Sequence, residues 1–204
     1  MIYFFELYIK TKINQNLTKG GNKAGGLTTS KGNKSKEKLT DDVSFTWKDL
    51  AKSETSQNRL LYVTAPLKED LHISGVAKVT ITLSSNKSAA NLSTYLVSLP
   101  LKAGKNAKIT ENLITRSWAD PKNYKSLTDE EDLKPGKFYT INFDLQPDDQ
   151  IIKKGQQIGF MIFSSDPEFT LHPKAGTELN IKLDKTKLKL PVVGGKDAFE
   201  KAVN

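Results

Sequence analysis

From Val76 to Leu83 the chain reads VAKVTITL. Ala77, Val79, Ile81 and Leu83 fall on one side of an extended backbone, and Lys78, Thr80 and Thr82 on the other. A period of two carried by β-branched residues requires a strand with one face in a core. The alternation returns at Phe138–Leu145, where Tyr139, Ile141, Phe143 and Leu145 oppose Phe138, Thr140, Asn142 and Asp144. Further short segments with strand chemistry are Ser44–Leu50, Leu60–Pro66, Leu92–Leu99, Ile109–Ile114, Ile151–Ile152, Glu178–Leu183 and Lys187–Leu190. Gln157–Ser164 (QIGFMIFS) is apolar at nearly every position and is expected at the centre of a sheet. Turn signals divide the series: LKAGKNAK at 101–108, Lys134-Pro135-Gly136-Lys137 and Lys153-Lys154-Gly155. About eight or nine strands at this spacing, with no convincing amphipathic helix, predict an all-β antiparallel sandwich.

The first forty residues read differently. Apolar residues make up 37% of the chain, and the deficit lies at this end. GGNKAGGLTTSKGNKSKEK, residues 20–38, offers almost nothing to bury and predicts a flexible linker. The opening MIYFFELYIK is too short to span a membrane. No basic residue precedes its apolar run, Glu6 interrupts it and no A-x-A follows, so it reads as a remnant strand and not a secretion signal. The expected organisation is a remnant strand and a Lys/Gly-rich linker over 1–40, then a β-sandwich domain over 41–204.

Charge narrows the function. The net charge is +8, but eight lysines against Glu6 and Glu37 put +6 of it in residues 1–40. The other 164 residues carry 23 basic and 21 acidic groups, or +2. A nearly balanced domain lacks the basic footprint of a nucleic-acid binder, and the lysine-rich stretch reads as a solvated tail. The chain has no cysteine, which excludes disulfides, thiolate metal sites and cysteine nucleophiles and suits a cytoplasmic protein.

Catalytic patterns are missing. Glycines four apart occur at Gly21/Gly25 and Gly155/Gly159, but their central residues are Lys23 and Gln157, so neither forms a nucleophile elbow. Phosphate-loop and dinucleotide patterns are absent. The two histidines, His72 in LHISG and His172 in LHPK, lie apart from each other and lack metal-ligand spacing. A triad assembled in space around either one is the weakest of three functional readings. The acidic runs Asp129-Glu130-Glu131-Asp132 and Asp148-Asp149 lack the ordered oxygen spacing of a calcium loop and read as solvated turns. Trp47, Trp118 and Tyr124 are candidate platforms for a sugar, which makes a stand-alone carbohydrate- or peptide-binding sandwich the second reading. No catalytic, cofactor or metal residue is assigned.

The leading reading comes from a resemblance. Residues 58–99, NRLLYVTAPLKEDLHISGVAKVTITLSSNKSAANLSTYLVSL, resemble the opening of the C-terminal domain of X-prolyl dipeptidyl aminopeptidases. ITRSWADPKNYKSL (114–127) looks like that domain's Arg-x-Trp segment, with Ser117 where members often carry glycine. LKPGKFYTINFDLQPDDQIIKKGQQIGFMIFSSD (133–166) and KLKLPVVGG (187–195) resemble its later strands and its end. The resemblance implies a jelly-roll-like sandwich with a galactose-binding-domain-like fold. It also implies a separate α/β-hydrolase domain whose Ser-Asp-His triad releases Xaa-Pro dipeptides, and against which this domain packs. None of the triad motifs maps onto this sequence, and residues 1–40 are too short to hold a hydrolase domain. The expectation is a noncatalytic accessory domain without its engine, from a cloned domain or a truncated gene, with an exposed surface able to self-associate. Within it, ITRSWADPKNYKSL is expected to be a crossing connection. Trp118 should cover a core edge, and a carboxylate such as Asp120, or one from a neighbouring loop, should hold Arg116.

Overall fold

The alternating segment at 76–83 becomes the hub of one of two packed sheets. The computed structural model describes residues 10–102, 112–172 and 175–204. Among them are thirteen strands: β1 (Lys10–Leu17), β2 (Gly25–Thr28), β3 (Lys36–Thr40), β4 (Arg59–Val63), β5 (Leu71–Gly75), β6 (Lys78–Ser85), β7 (Leu92–Leu99), β8 (Leu113–Ala119), β9 (Tyr139–Asp144), β10 (Asp148–Ile152), β11 (Gln157–Phe163), β12 (Glu178–Lys182) and β13 (Lys187–Val193). Two short helices, α1 (Trp47–Lys52) and α2 (Gly195–Val203), complete the fold. The remnant-strand reading of residues 1–9 and most of the hairpin tip predicted at 101–108 lie outside the described residues, as does the start of the strand predicted at Ile109–Ile114.

In the first sheet β6 pairs with β9 along one edge and with β13 and then β12 along the other. β12 carries β3, β13 carries β1 and β5, and β5 carries β10. The second sheet runs β2-β4-β11-β7-β8, antiparallel except for the parallel β2–β4 pair. β2 also pairs with β1 and so joins the two layers. Ala77, Val79, Ile81 and Leu83 are buried in the shared core, as the alternation requires, alongside Leu60, Leu96, Phe160 and Ile162 of the opposite sheet. The fold is an all-β sandwich.

β11 lies between β4 and β7, and the burial of both its faces explains its unbroken apolar run. Ile158, Phe160 and Ile162 face the other sheet. Met161 and Phe163 face outward into a second cluster with Leu61, Tyr95 and Val97, covered by Trp47, Leu50 and Ala51 of α1. The segment around 44–50 is therefore a helix and not a strand. Thr46 and Asp49 form a reciprocal capping box that fixes its start. α2 buries Phe199 and Ala202 and packs on β1 and β13, which corrects the expectation of no amphipathic helix.

The stretch 18–38 is not a flexible linker. It contains β2 and ends in β3, and β1 before it pairs over seven positions with β13, so the sandwich begins well before residue 41. Side chains supplied by later strands hold the glycine-rich turn. The Glu37 carboxylate accepts hydrogen bonds from the amides of Gly20 (2.6 Å) and Gly21 (3.0 Å) and from the Tyr62 hydroxyl (2.7 Å). Arg59, fully buried, donates to the carbonyls of Gly21 (2.5 Å), Lys23 (2.6 Å), Leu50 (3.2 Å) and Ser53 (2.6 Å). The glycines are there for close approach. A Cβ on Gly25 would stand 2.6 Å from the Thr18 carbonyl and 2.7 Å from the Tyr62 ring, and one on Gly21 would stand 2.7 Å from the Glu37 carboxylate.

Candidate functional site

The two histidines are not brought together. His72, on β5, sits against Asp149 of β10 with Nε2 2.5 Å from Oδ1, in a shallow hollow that Ile151, Lys153 and Gln156 also line. His172 faces the Pro167 carbonyl at 3.2 Å in an exposed turn. No group of three or more His, Asp or Glu side chains is placed to hold a metal among the described residues. The acidic run at 129–132 is spent on its own loop. Lys122 pairs with Glu130 and with Asp132 (2.9 Å), while Glu131 accepts from Lys125 and from the Tyr124 hydroxyl (2.7 Å). Tyr124 in turn packs its ring on Tyr139, 4.6 Å between centroids, and is not a free platform.

The tryptophans converge instead. Trp47 and Trp118 both pack on Tyr95, with centroids at 5.7 and 6.2 Å, on the outer face of the second sheet. Residues 113–119 are not a crossing connection. They form β8, paired with β7 so that Arg116 stands opposite Tyr95 and Trp118 opposite Ser93. Ser117, opposite Thr94, is extended strand that any residue can adopt, so no glycine is needed there. Polar broken sequence begins only after Ala119, where Asp120 caps a single turn at 121–123 by accepting from the Lys122 amide (2.8 Å).

Asp120 therefore does not hold Arg116. The guanidinium lies over the Phe169 ring at 4.2 Å and also faces Trp118 (5.2 Å) and Tyr95 (5.6 Å). The carboxylate of the cluster is Asp166, which is buried. Its Oδ2 accepts the Tyr95 hydroxyl and the Trp118 indole N–H (3.2 Å), and its Oδ1 accepts the Glu168 amide (3.0 Å). Burial, and then the Asp166 carboxylate, push the Tyr95 phenol upward, so it remains a donor. Thr170 closes the turn by donating its hydroxyl to the Asp166 carbonyl (2.9 Å) and accepting the Asp166 amide (2.8 Å). That turn presents Phe169, 49% exposed, beside Trp118 and, two positions on, Leu171, 87% exposed. The arrangement offers flat apolar faces and a cation, which suits binding and not bond-breaking. Sequence reasoning found Arg116 and Trp118 and missed Tyr95, Asp166, Phe169 and Leu171. The available signal was an apolar pair, Phe169 and Leu171, inside an otherwise turn-like SSDPEFTLHP.

Comparison with known proteins covers the whole sandwich. A family described as the X-Pro dipeptidyl-peptidase C-terminal non-catalytic domain matches residues 9–199, which takes in every strand. The chain belongs to this family. A relative of Rhodopirellula baltica, provisionally named an Xaa-Pro dipeptidyl-peptidase, is 54% identical over 159 residues, 78% of this chain and 25% of its own length. A Bacillus anthracis relative with the same provisional name is 37% identical over 175 residues, 84% of this chain and 28% of its own. The solved α-amino acid ester hydrolase shares the fold, with a TM-score of 0.67 and 16% identity over 89% of this chain and 36% of that one. This X-Pro dipeptidyl-peptidase C-terminal domain thus spans about a quarter of the length of the curated relatives it matches. No helix among its described residues is long and apolar enough to cross a membrane.

Proposed function

We propose that this domain serves as the scaffold part of a cytoplasmic serine-type Xaa-Pro dipeptidyl-peptidase, packing against an α/β-hydrolase domain that carries out the cleavage. One observation carries the reading: the family match coincides with the whole folded sandwich, while the matched relatives are about four times longer than the part they share with it. A hydrolase body of that size fits the remaining length. We read the sandwich as the galactose-binding-like jelly roll of that family, with the role of a structural partner. The cysteine-free composition is compatible with a reducing compartment.

The test is an assay of the purified chain on a chromogenic Xaa-Pro substrate, alone and after its fusion to the hydrolase portion of the Rhodopirellula baltica relative. The chain alone should give no turnover and the fusion should hydrolyse the substrate. Turnover by the chain alone, abolished by a serine-directed inhibitor, would overturn the proposal.

A further inference from the structure

We infer that the ridge formed by Arg116, Trp118, Phe169 and Leu171 is the seat of the hydrolase domain, and that Arg116 is reserved for a carboxylate on that domain. The inference rests on the scaffold reading above and goes beyond it by naming the face and the chemistry of the contact.

The ridge is built for contact with something else. Phe169 and Leu171 are two of the five large apolar side chains that the described residues leave exposed, and they lie two positions apart. A third, Phe45, precedes Trp47 by two residues at the start of α1, and Trp47 packs on the same Tyr95. The ridge is also held rigid. Asp166 anchors Tyr95 and Trp118 from beneath, and Thr170 locks the turn that carries Phe169. A preorganised aromatic surface loses little freedom on binding, and aromatic residues with arginine dominate the energetics of interfaces.

Arg116 identifies the partner's chemistry. A guanidinium has five N–H donors, and here the protein uses one, in a 3.4 Å contact from Nη1 to the Tyr95 hydroxyl. Arg116 forms no ion pair among the described residues. The Tyr95 hydroxyl already donates its hydrogen bond to Asp166, so it can only accept from Arg116. The Phe169 ring at 4.2 Å holds the guanidinium in place, and four of its five donors make no hydrogen bond to the described residues, so a carboxylate can take it through two parallel bonds. Apolar groups seated on Phe169 and Leu171 would exclude water from that pair and strengthen it. The fully buried Arg59 shows the contrast, because four carbonyls occupy its donors. The occupant is the hydrolase domain because the relatives place this sandwich in chains about four times its matched length.

The experiment uses the full fusion enzyme, with this chain replacing the matched quarter of the Rhodopirellula baltica relative, and the free 204-residue chain beside it. Variants are Arg116→Gln, Arg116→Glu and the pair Phe169→Ser with Leu171→Ser. In the free chain Arg116 is partly buried and Phe169 still packs on Trp118, so each variant should lower the melting temperature by a few degrees, and the loss should be clearly larger in the fusion. In the fusion they should shorten the half-life of Xaa-Pro hydrolysis at elevated temperature by about tenfold, with Arg116→Glu the worst. An unsubstituted fusion that is soluble but inactive would sink the scaffold reading and this inference with it. An active fusion whose half-life ignores all three variants would sink the inference alone. So would equal losses in the free chain and the fusion, which would make the ridge internal. A free chain that sediments as a dimer until Phe169 is replaced would assign the ridge to a second copy and overturn the inference as well.

Discussion

Replacing Glu37 with alanine tests whether the glycine-rich turn is anchored. The carboxylate sits on β3 and accepts three hydrogen bonds, from Gly20 N, Gly21 N and the Tyr62 hydroxyl. A hydrogen bond to a charged group contributes about 1.5–3 kcal/mol, and a buried donor left without a partner costs about 1–3 kcal/mol. Gly20 is only partly buried and water can satisfy its amide after the change, while the buried Gly21 amide is harder to reach. The Tyr62 hydroxyl cannot be rescued so easily, because Tyr62 is fully buried and burial, with the Glu37 charge adding to it, pushes its phenol upward. The expected cost is therefore about 2–3 kcal/mol, near one full charged bond plus a fraction of the others. For a chain of this length that lowers the melting temperature by about 4–12 °C. Amide exchange gives the local readout. Thr18 donates to the Gly26 carbonyl and Leu61 to the Gly21 carbonyl, so both amides should be protected in the native protein and exchange faster in Glu37→Ala. A melting temperature lowered by less than about 2 °C, with the Thr18 and Leu61 amides already unprotected in the unsubstituted chain, would refute the anchoring argument.

Three further outcomes follow from the same reasoning. Arg59→Met should cost about 3–5 kcal/mol in urea denaturation, because four carbonyls around a fully buried site lose their donor; a cost below about 1 kcal/mol would contradict it. Burial lowers the Arg59 guanidinium to about 10, and at neutral pH it is still the protonated donor those carbonyls need. Trp118→Ala should cost about 2–3 kcal/mol, less than a fully buried indole, since the ring is only partly buried between Tyr95 and Phe169; Trp118→Phe should recover most of this and leave only the bond to Asp166 missing, and equal losses in both variants would refute the packing share. Asp148 has a buried Oδ2 with no partner, and burial raises its pKa above 3.8. A raised carboxylate pKa destabilises the fold above the folded value and is relieved as pH falls through it, so Asp148→Asn should melt at or above the parent at pH 7, with the advantage shrinking in acid. A variant advantage that grows as pH falls would reverse the sign and exclude Asp148 as its source.

How far the site could be read ahead of the structure depended on distance along the chain. Arg116 and Trp118 stood out because they share one short segment. Their partners come from β7, 21 residues before Arg116, and from a turn 48 residues after Trp118. Nothing local marks Asp166 as the carboxylate that orients the indole, so nearby Asp120 was the natural candidate, and it caps its own turn instead. The acidic run at 129–132 was legible as a solvated turn, although its pairing with Lys122 and Lys125 was not.

The sequence by itself determined the all-β class, the inward faces of β6 and β9, and the central place of β11, because burial on one face or two writes a period directly into the residues. It also carried the family through motifs spread over most of its length. Only the tertiary structure decided that residues 18–38 belong to the sandwich. Their composition gives no reason to order, and the order comes from Glu37, Arg59 and Tyr62 meeting across strands that are far apart in the chain. Glycine is the point of ambiguity: the missing side chain that permits disorder in a free peptide also lets backbone approach a tyrosine ring, and only the neighbours in space choose between the two.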